Sequence, residues 1–161
     1  MSKAGNMGTA VVEHLLGGLD RFAEHRGRTR TDAAHLQTGL DGEDAAFFYL
    51  RRKGYTVVAR RWSSGDVPGD LDLIAWQGSL LCFVEIKTRT AHDSTPAEVA
   101  VDIRKRRILR RLARRYVRQL PQAAMPSVRF DVISVYLVPG EKPEFTHFEA
   151  AFSWSETLQR G

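Results

Sequence analysis

The stretch Gly69-Asp70-Leu71-Asp72-Leu73-Ile74-Ala75-Trp76-Gln77-Gly78-Ser79-Leu80-Leu81-Cys82-Phe83-Val84-Glu85-Ile86-Lys87-Thr88-Arg89 reads as two strands joined by a tight turn. Gly followed by Ser suits a two-residue hairpin loop with Gly at its first central position. That loop pairs Gln77 with Leu80. Counting back along an antiparallel ladder then sets Asp72 opposite Glu85 and Asp70 opposite Lys87. Side chains alternate along each strand, so one face carries Asp70, Asp72, Ile74 and Trp76 beside Leu81, Phe83, Glu85, Lys87 and Arg89. The charged end lies away from the turn. The other face, Leu71, Leu73 and Ala75 against Cys82, Val84 and Ile86, is apolar throughout and is expected to pack on a helix, which makes both strands interior.

Two carboxylates directly opposite in a sheet, with Cβ atoms ~5 Å apart, repel each other. A divalent cation reverses the sign of that interaction. Hard oxygen ligands of this kind suit Mg2+ or Mn2+. Lys87 emerges on the same face as Glu85, which adds a cation for phosphodiester hydrolysis. In that chemistry the metal polarises the phosphate and acidifies a bound water, while the ammonium stabilises developing charge or positions the nucleophile. The pattern also fits a purely structural reading, in which Asp70 pairs with Lys87, and Asp72 and Glu85 are strand-end residues solvated or paired to arginines.

Upstream, Thr38-Gly39-Leu40-Asp41 resembles a capping box and predicts a helix to about Lys53, ended by Gly54. Glu43 is centred on that helix's apolar stripe, since Ala46, Phe47 and Leu50 follow at helical spacing. A carboxylate aimed at the core needs a partner. Either the acidic end of the sheet with its metal supplies one, or a salt bridge to Arg89 or Lys105 does. Tyr55–Trp62 predicts a strand and residues 63–69 a loop. Downstream, a helix is expected from near Pro96 to before Pro121, then strands Val128–Val138 and Phe145–Phe152. The order predicts an α/β fold, a mixed central sheet of about five strands flanked by helices.

The predicted second helix carries the charge. Nine basic residues stand between Arg104 and Arg118 with no acid among them, in a chain of net charge +5 and pI near 9.7. Ile108, Leu109, Leu112, Ala113, Tyr116, Val117 and Leu120 form its apolar stripe, and Arg104, Arg107, Arg110, Arg111, Arg114, Arg115 and Arg118 fall mostly on the remaining surface. A merely solvated face usually mixes signs, so this one is expected to contact the phosphates of DNA. Lys105 falls inside the apolar stripe and is expected to point back toward the acids.

The length bounds one domain, expected over residues 38–154, with a flexible appendage over 1–37 and a tail over 155–161. No apolar run is long enough to span a membrane, and the N-terminus lacks the apolar core of a secretory signal. A single cysteine, Cys82, excludes an internal disulfide and a thiolate zinc site, in keeping with a cytoplasmic location. Cys82 is expected in the core. The histidines have neither metal-ligand nor triad spacing, and Asp131 is expected to play a pairing role.

The chain resembles the YraN family of endonuclease-like proteins, small members of the restriction-endonuclease-like fold related to archaeal Holliday-junction resolvases. The resemblance covers roughly Gly39 to Phe152. It rests on Gly42-Glu43-Asp44-Ala45-Ala46, Lys53-Gly54-Tyr55, Arg60-Arg61-Trp62, residues 69–75 and 83–89, followed by Pro96, Glu98, Lys105 and Arg106. It implies that Asp72, Glu85 and Lys87 are the nuclease motif's acid, acid and lysine, and that Glu43 is the additional helix acid. Asp72, Glu85 and Glu43 would then serve Mg2+ or Mn2+, with Asp70, Arg89 and Lys105 supporting them from behind. Two positions depart from the pattern. Leu71 replaces the proline of the motif's usual name, and Asp70 stands where similar sequences carry Glu. The implied function is a DNA endonuclease, structure-selective or single-strand directed, in repair, recombination or DNA uptake. The competing class is a non-catalytic nucleic-acid-binding or scaffold protein, and the pattern leaves a homodimer open.

Overall fold

In the computed structural model, residues 30–92, 101–122 and 125–155 are described. The chain divides into two units, residues 1–36 and 37–161. Most of the expected appendage, and nearly all of the expected tail, lie outside the described residues. The described elements are α1 (Arg30–Arg52), β1 (Thr56–Ser64), β2 (Val67–Gln77), β3 (Leu80–Arg89), α2 (Ile103–Val117), β4 (Ser127–Tyr136) and β5 (Glu144–Phe152).

The strands form one sheet in the order β1-β2-β3-β4-β5. The pairs β1–β2, β2–β3 and β4–β5 are antiparallel, while β3 and β4 run parallel and are joined through α2. A parallel pair needs such a crossover. The result is the expected α/β fold with a mixed five-stranded sheet, consistent with a restriction-endonuclease-like domain.

Each face of the sheet has its own core. Leu73, Ala75, Cys82, Val84 and Ile86 pack with Ala46 and Leu50 of α1. Ile74, Leu81 and Phe83 pack with Leu109, Leu112, Ala113 and Val117 of α2. The Gly78-Ser79 turn holds the expected register, Gln77 opposite Leu80 through Leu73 opposite Val84, with Gly78 at φ 59°.

Five local expectations are corrected. The first helix begins at Arg30, eight residues before Thr38, and Gln37 donates from within it to Asp41, so the capping-box resemblance marks the helix surface. Residues 63–69 are no open loop. β1 and β2 continue into a tight turn at Gly65-Asp66, and the register shift opposite Ser63 and Ser64 absorbs Pro68 and Gly69 as a bulge. The second helix starts at Ile103, with Val101 and Asp102 outside it, and Pro96 itself lies outside the described residues. Its cap is Asp102, in extended conformation, whose side chain accepts from the Lys105 N–H at 2.8 Å. Leu71 packs in the α2-side core beside Ile74, not on the α1 side with Leu73, because strict alternation fails where β1 and β2 cross the site. Finally, Arg110 is buried and donates to the Ser153 carbonyl at 2.9 Å with its guanidinium over Phe152. The helical phase of Arg110 gave no hint that β5 ends against it.

Candidate active site

The acids and cations gather where the β2–β3 ladder ends. Beyond Leu73 and Val84 the strands stop exchanging ladder bonds, and Asp72 enters the gap. Its Oδ2 accepts the Ile86 N–H at 2.6 Å. This side-chain bond replaces a backbone one and brings the carboxylate beside Glu85. Burial holds the Asp72 carboxyl well above the ordinary carboxylate range, the Glu85 charge pushes it further, and the Ile86 N–H and Lys105 only partly oppose them.

Glu85 is 4 % exposed and faces two ammonium groups, Lys87 Nζ at 2.9 Å from Oε1 and Lys105 Nζ at 3.3 Å from Oε2. Lys105 thus reaches back from the first turn of α2, as its helical phase indicates. Burial opposes its charge, yet the Glu85 and Asp72 carboxylates outweigh that and raise its pKa. Glu85 Oε2 is buried, with the Lys105 ammonium beside it but not aligned as a hydrogen-bond donor.

Glu43 lies in a neighbouring cluster. Its Oε2 stands 3.6 Å from Arg61 Nε, and the same nitrogen stands 3.8 Å from Asp70 Oδ2. Burial raises the Glu43 pKa, Arg61 opposes the rise and Asp70 adds to it. The approach of α1 depends on Gly42, where a Cβ would fall 1.9 Å from Thr88 Oγ1 of β3. Neither salt-bridge alternative of the sequence reading, Glu43 to Arg89 or to Lys105, is the contact seen. Likewise Lys87 pairs with Glu85 and not with Asp70. Arg61, which sequence reasoning passed over, joins Glu43 to Asp70.

Residues 42–135, which contain all of these groups, match the family model described as uncharacterised protein family UPF0102. The chain belongs to the UPF0102 family. This is the YraN family of the resemblance. A UPF0102 protein of Koribacter versatilis is 49 % identical over 118 residues, covering 73 % of this chain and 80 % of that protein. One from Solibacter usitatus is 44 % identical over 131 residues, 81 % and 96 % of the two chains, and one from Nocardia farcinica is 41 % identical over 115 residues, 71 % and 87 %.

In this UPF0102 chain the donor set fits a hard divalent cation only in part. Asp72 and Glu85 offer adjacent oxygens, one of them buried without a hydrogen bond. Among the described residues, however, no three His, Cys, Asp or Glu side chains converge closely enough to hold a metal. The expected trio of Asp72, Glu85 and Glu43 is therefore not assembled, because Glu43 is turned to Arg61. Arg89 has a buried Nε on β3.

The other candidates resolve simply. Burial pushes the Cys82 thiol up to about 11, which keeps it a protonated core group. His92 is exposed and sits 3.0 Å from Glu141. Asp131 is fully buried and accepts from Arg129, His147 Nε2 at 2.8 Å and the Ala150 N–H. On α2, Arg104, Arg107, Arg111, Arg114, Arg115 and Arg118 are exposed. Arg115 pairs with Asp66 and Arg114 lies over Trp154, so the outward face is less uniform than the sequence reading has it. No described helix is long and apolar enough to cross a membrane.

Proposed function

We propose that this protein is a metal-dependent nuclease that hydrolyses phosphodiester bonds in DNA, directed to branched or single-stranded structures in repair, recombination or DNA uptake. The observation that carries the reading is the half-buried Asp72 beside the buried Glu85, with two lysines converging on Glu85. A sheet has no structural need for a second carboxylate set against a buried one, and a purely stabilising ion pair requires only one acid and one base.

Asp72 and Glu85 would hold Mg2+ or Mn2+, which when bound polarises the phosphate and lowers the pKa of a water. The chain's own residues do the rest. Lys87, part-exposed at the mouth, places an ammonium where charge develops on the phosphate, and Glu85 fixes its position until substrate arrives. Lys105 places a second ammonium against Glu85 from the other side. The exposed arginines of α2 neutralise backbone phosphates and draw the strand toward the site. The test is cleavage of junction, flap, single-strand and duplex DNA with Mg2+ or Mn2+, beside Glu85→Gln. Metal-dependent cutting lost in Glu85→Gln supports the reading. DNA binding without cutting under any of these conditions would instead favour a non-catalytic nucleic-acid-binding protein.

A further inference from the structure

Contacts on three sides fix how α2 is turned on the sheet. At its first turn Lys105 reaches the site, with Nζ 3.3 Å from Glu85 Oε2. On one flank Arg106, Arg110 and Arg114 lean on the end of β5. Arg106 and Arg110 lie over Phe152 and Arg114 over Trp154, while Arg110 Nε donates to the Ser153 carbonyl. On the other flank Arg115 pairs with Asp66, and Tyr116 meets Trp62 edge to face with ring centres 5.3 Å apart. What this roll turns outward is a single row, Arg104, Arg107, Arg111 and Arg118, all exposed and one or two helical turns apart. The helix contains no acid.

The row starts beside the acidic site and leads away from it. From Arg104 to Arg118 the helix rises about 21 Å at ~1.5 Å per residue. That is about six nucleotides at ~3.4 Å each. The shape of the row chooses among polyanions. A row one residue wide meets one phosphate backbone, not the two that border a groove. In a duplex, which turns once in ~10 base pairs, six steps carry a backbone more than halfway round the axis and away from a straight rod. A single strand can follow the rod throughout.

We propose that α2 is a lengthwise track for one single-stranded nucleic acid, running from the Lys105–Glu85 contact to Arg118, so that a bound strand extends from the site on one side only. This deepens the nuclease reading above and rests on it for what happens at the site end; binding along the row requires no metal. The row is guanidinium throughout, so it reads phosphate and not base or sugar.

The test is binding in EDTA, by fluorescence anisotropy across a salt series. The probes are an oligothymidylate longer than the row, its oligouridylate counterpart and a duplex of equal length. The proteins are wild type, Arg104→Gln, Arg118→Gln and, off the row, the exposed Arg52→Gln. On either single strand each end-of-row variant should lower the log-log salt slope by ~0.7, one phosphate contact apiece, and Arg52→Gln should not. On the duplex, one backbone cannot hold both ends of the row, so at least one of the two variants should keep the wild-type slope. An unchanged slope for either end variant on the single strand, equal losses on the duplex, or a strong preference for one sugar would overturn the track. With Mg2+ or Mn2+ added, a duplex carrying a single-stranded tail should be cut when the tail has one polarity and spared when it has the other. Equal cutting of both would overturn the one-sided geometry while leaving the nuclease reading intact. Slopes that fall as expected without any cutting would uphold the track and sink the nuclease reading.

Discussion

Asp72 is placed where ionisation is most costly, beside the buried Glu85, and that cost has a measurable sign. A carboxyl whose folded pKa is raised binds its proton more tightly in the folded state, so its contribution is fully present below the unfolded value. It is lost as pH rises through the folded one. The metal-free protein should therefore shed stability from the ordinary carboxylate range upward, and Asp72→Asn should flatten that slope and equal or exceed wild type near neutrality. Thermal unfolding across pH with and without Mg2+ reads both effects. Saturating metal should stabilise wild type by ~2.7 kcal/mol at a hundred times its dissociation constant, and Asp72→Asn by much less. Wild type indifferent to metal, with a destabilised Asp72→Asn, would make the cluster structural. Asp131 has the opposite sign. Burial pushes its pKa up, but hydrogen bonds from His147, Arg129 and the Ala150 N–H outweigh that and hold it below the usual range. Its contribution is present above the unfolded value and lost as pH falls through the folded one. Asp131→Ala should cost about 3 kcal/mol or more, because Arg129, His147 and the Ala150 N–H all lose the fully buried carboxylate they share. A loss under 1 kcal/mol in chemical denaturation would show that the network relaxes.

At the scale of elements, the seating of α1 turns on Gly42. With Thr88 Oγ1 1.9 Å from where a Cβ would stand, Gly42→Ala must push the helix off β3 and carry Glu43 with it. The expected loss is about 1–3 kcal/mol, as for other overpacked contacts, and Thr88→Ala should restore part of it. If Gly42→Ala unfolds at the wild-type midpoint, the helix has room to spare. The basic helix divides in two. Replacing exposed Arg104, Arg107, Arg111 and Arg118 with Gln should reduce the salt dependence of DNA binding by ~0.9 in log-log slope for each lost phosphate contact on duplex. Arg110→Gln should instead lower the melting temperature, because its Nε bond to Ser153 and its packing on Phe152 belong to the core. An unchanged slope in the fourfold variant would reduce the outer face to a solvated one.

Across the whole molecule, what could be read from the sequence was what depends on period and turn chemistry. Gly78-Ser79 set the β2–β3 register, the period of two sorted Ile74 and Phe83 from Ala75 and Cys82, and helical phase aimed Lys105 at Glu85. What escaped depends on contacts distant in sequence or on broken periodicity. Nothing local marks Arg61 for a left-handed turn, so the companion shift of Leu71 to the other core was invisible too. The burial of Arg110 required knowing that β5 ends beneath it, and the divergence of Glu43 from Asp72 required the position of Arg61.

The parallel pairing of β3 with β4 also has a temporal meaning. Leu80 and Ser127 become neighbours only after the whole crossover through α2 has closed, whereas β1–β2 and β2–β3 join through turns of two residues. Closing a long loop costs chain entropy before any contact repays it, and pairings of this kind are slow to form. The three-stranded meander can thus bring Asp72 beside Glu85 through short loop closures alone, while Lys105, carried by the crossover, arrives with the longer closure that docks β4. During synthesis the nascent chain would hold its two acids together, unneutralised by that lysine, until the second half of the sheet has left the ribosome.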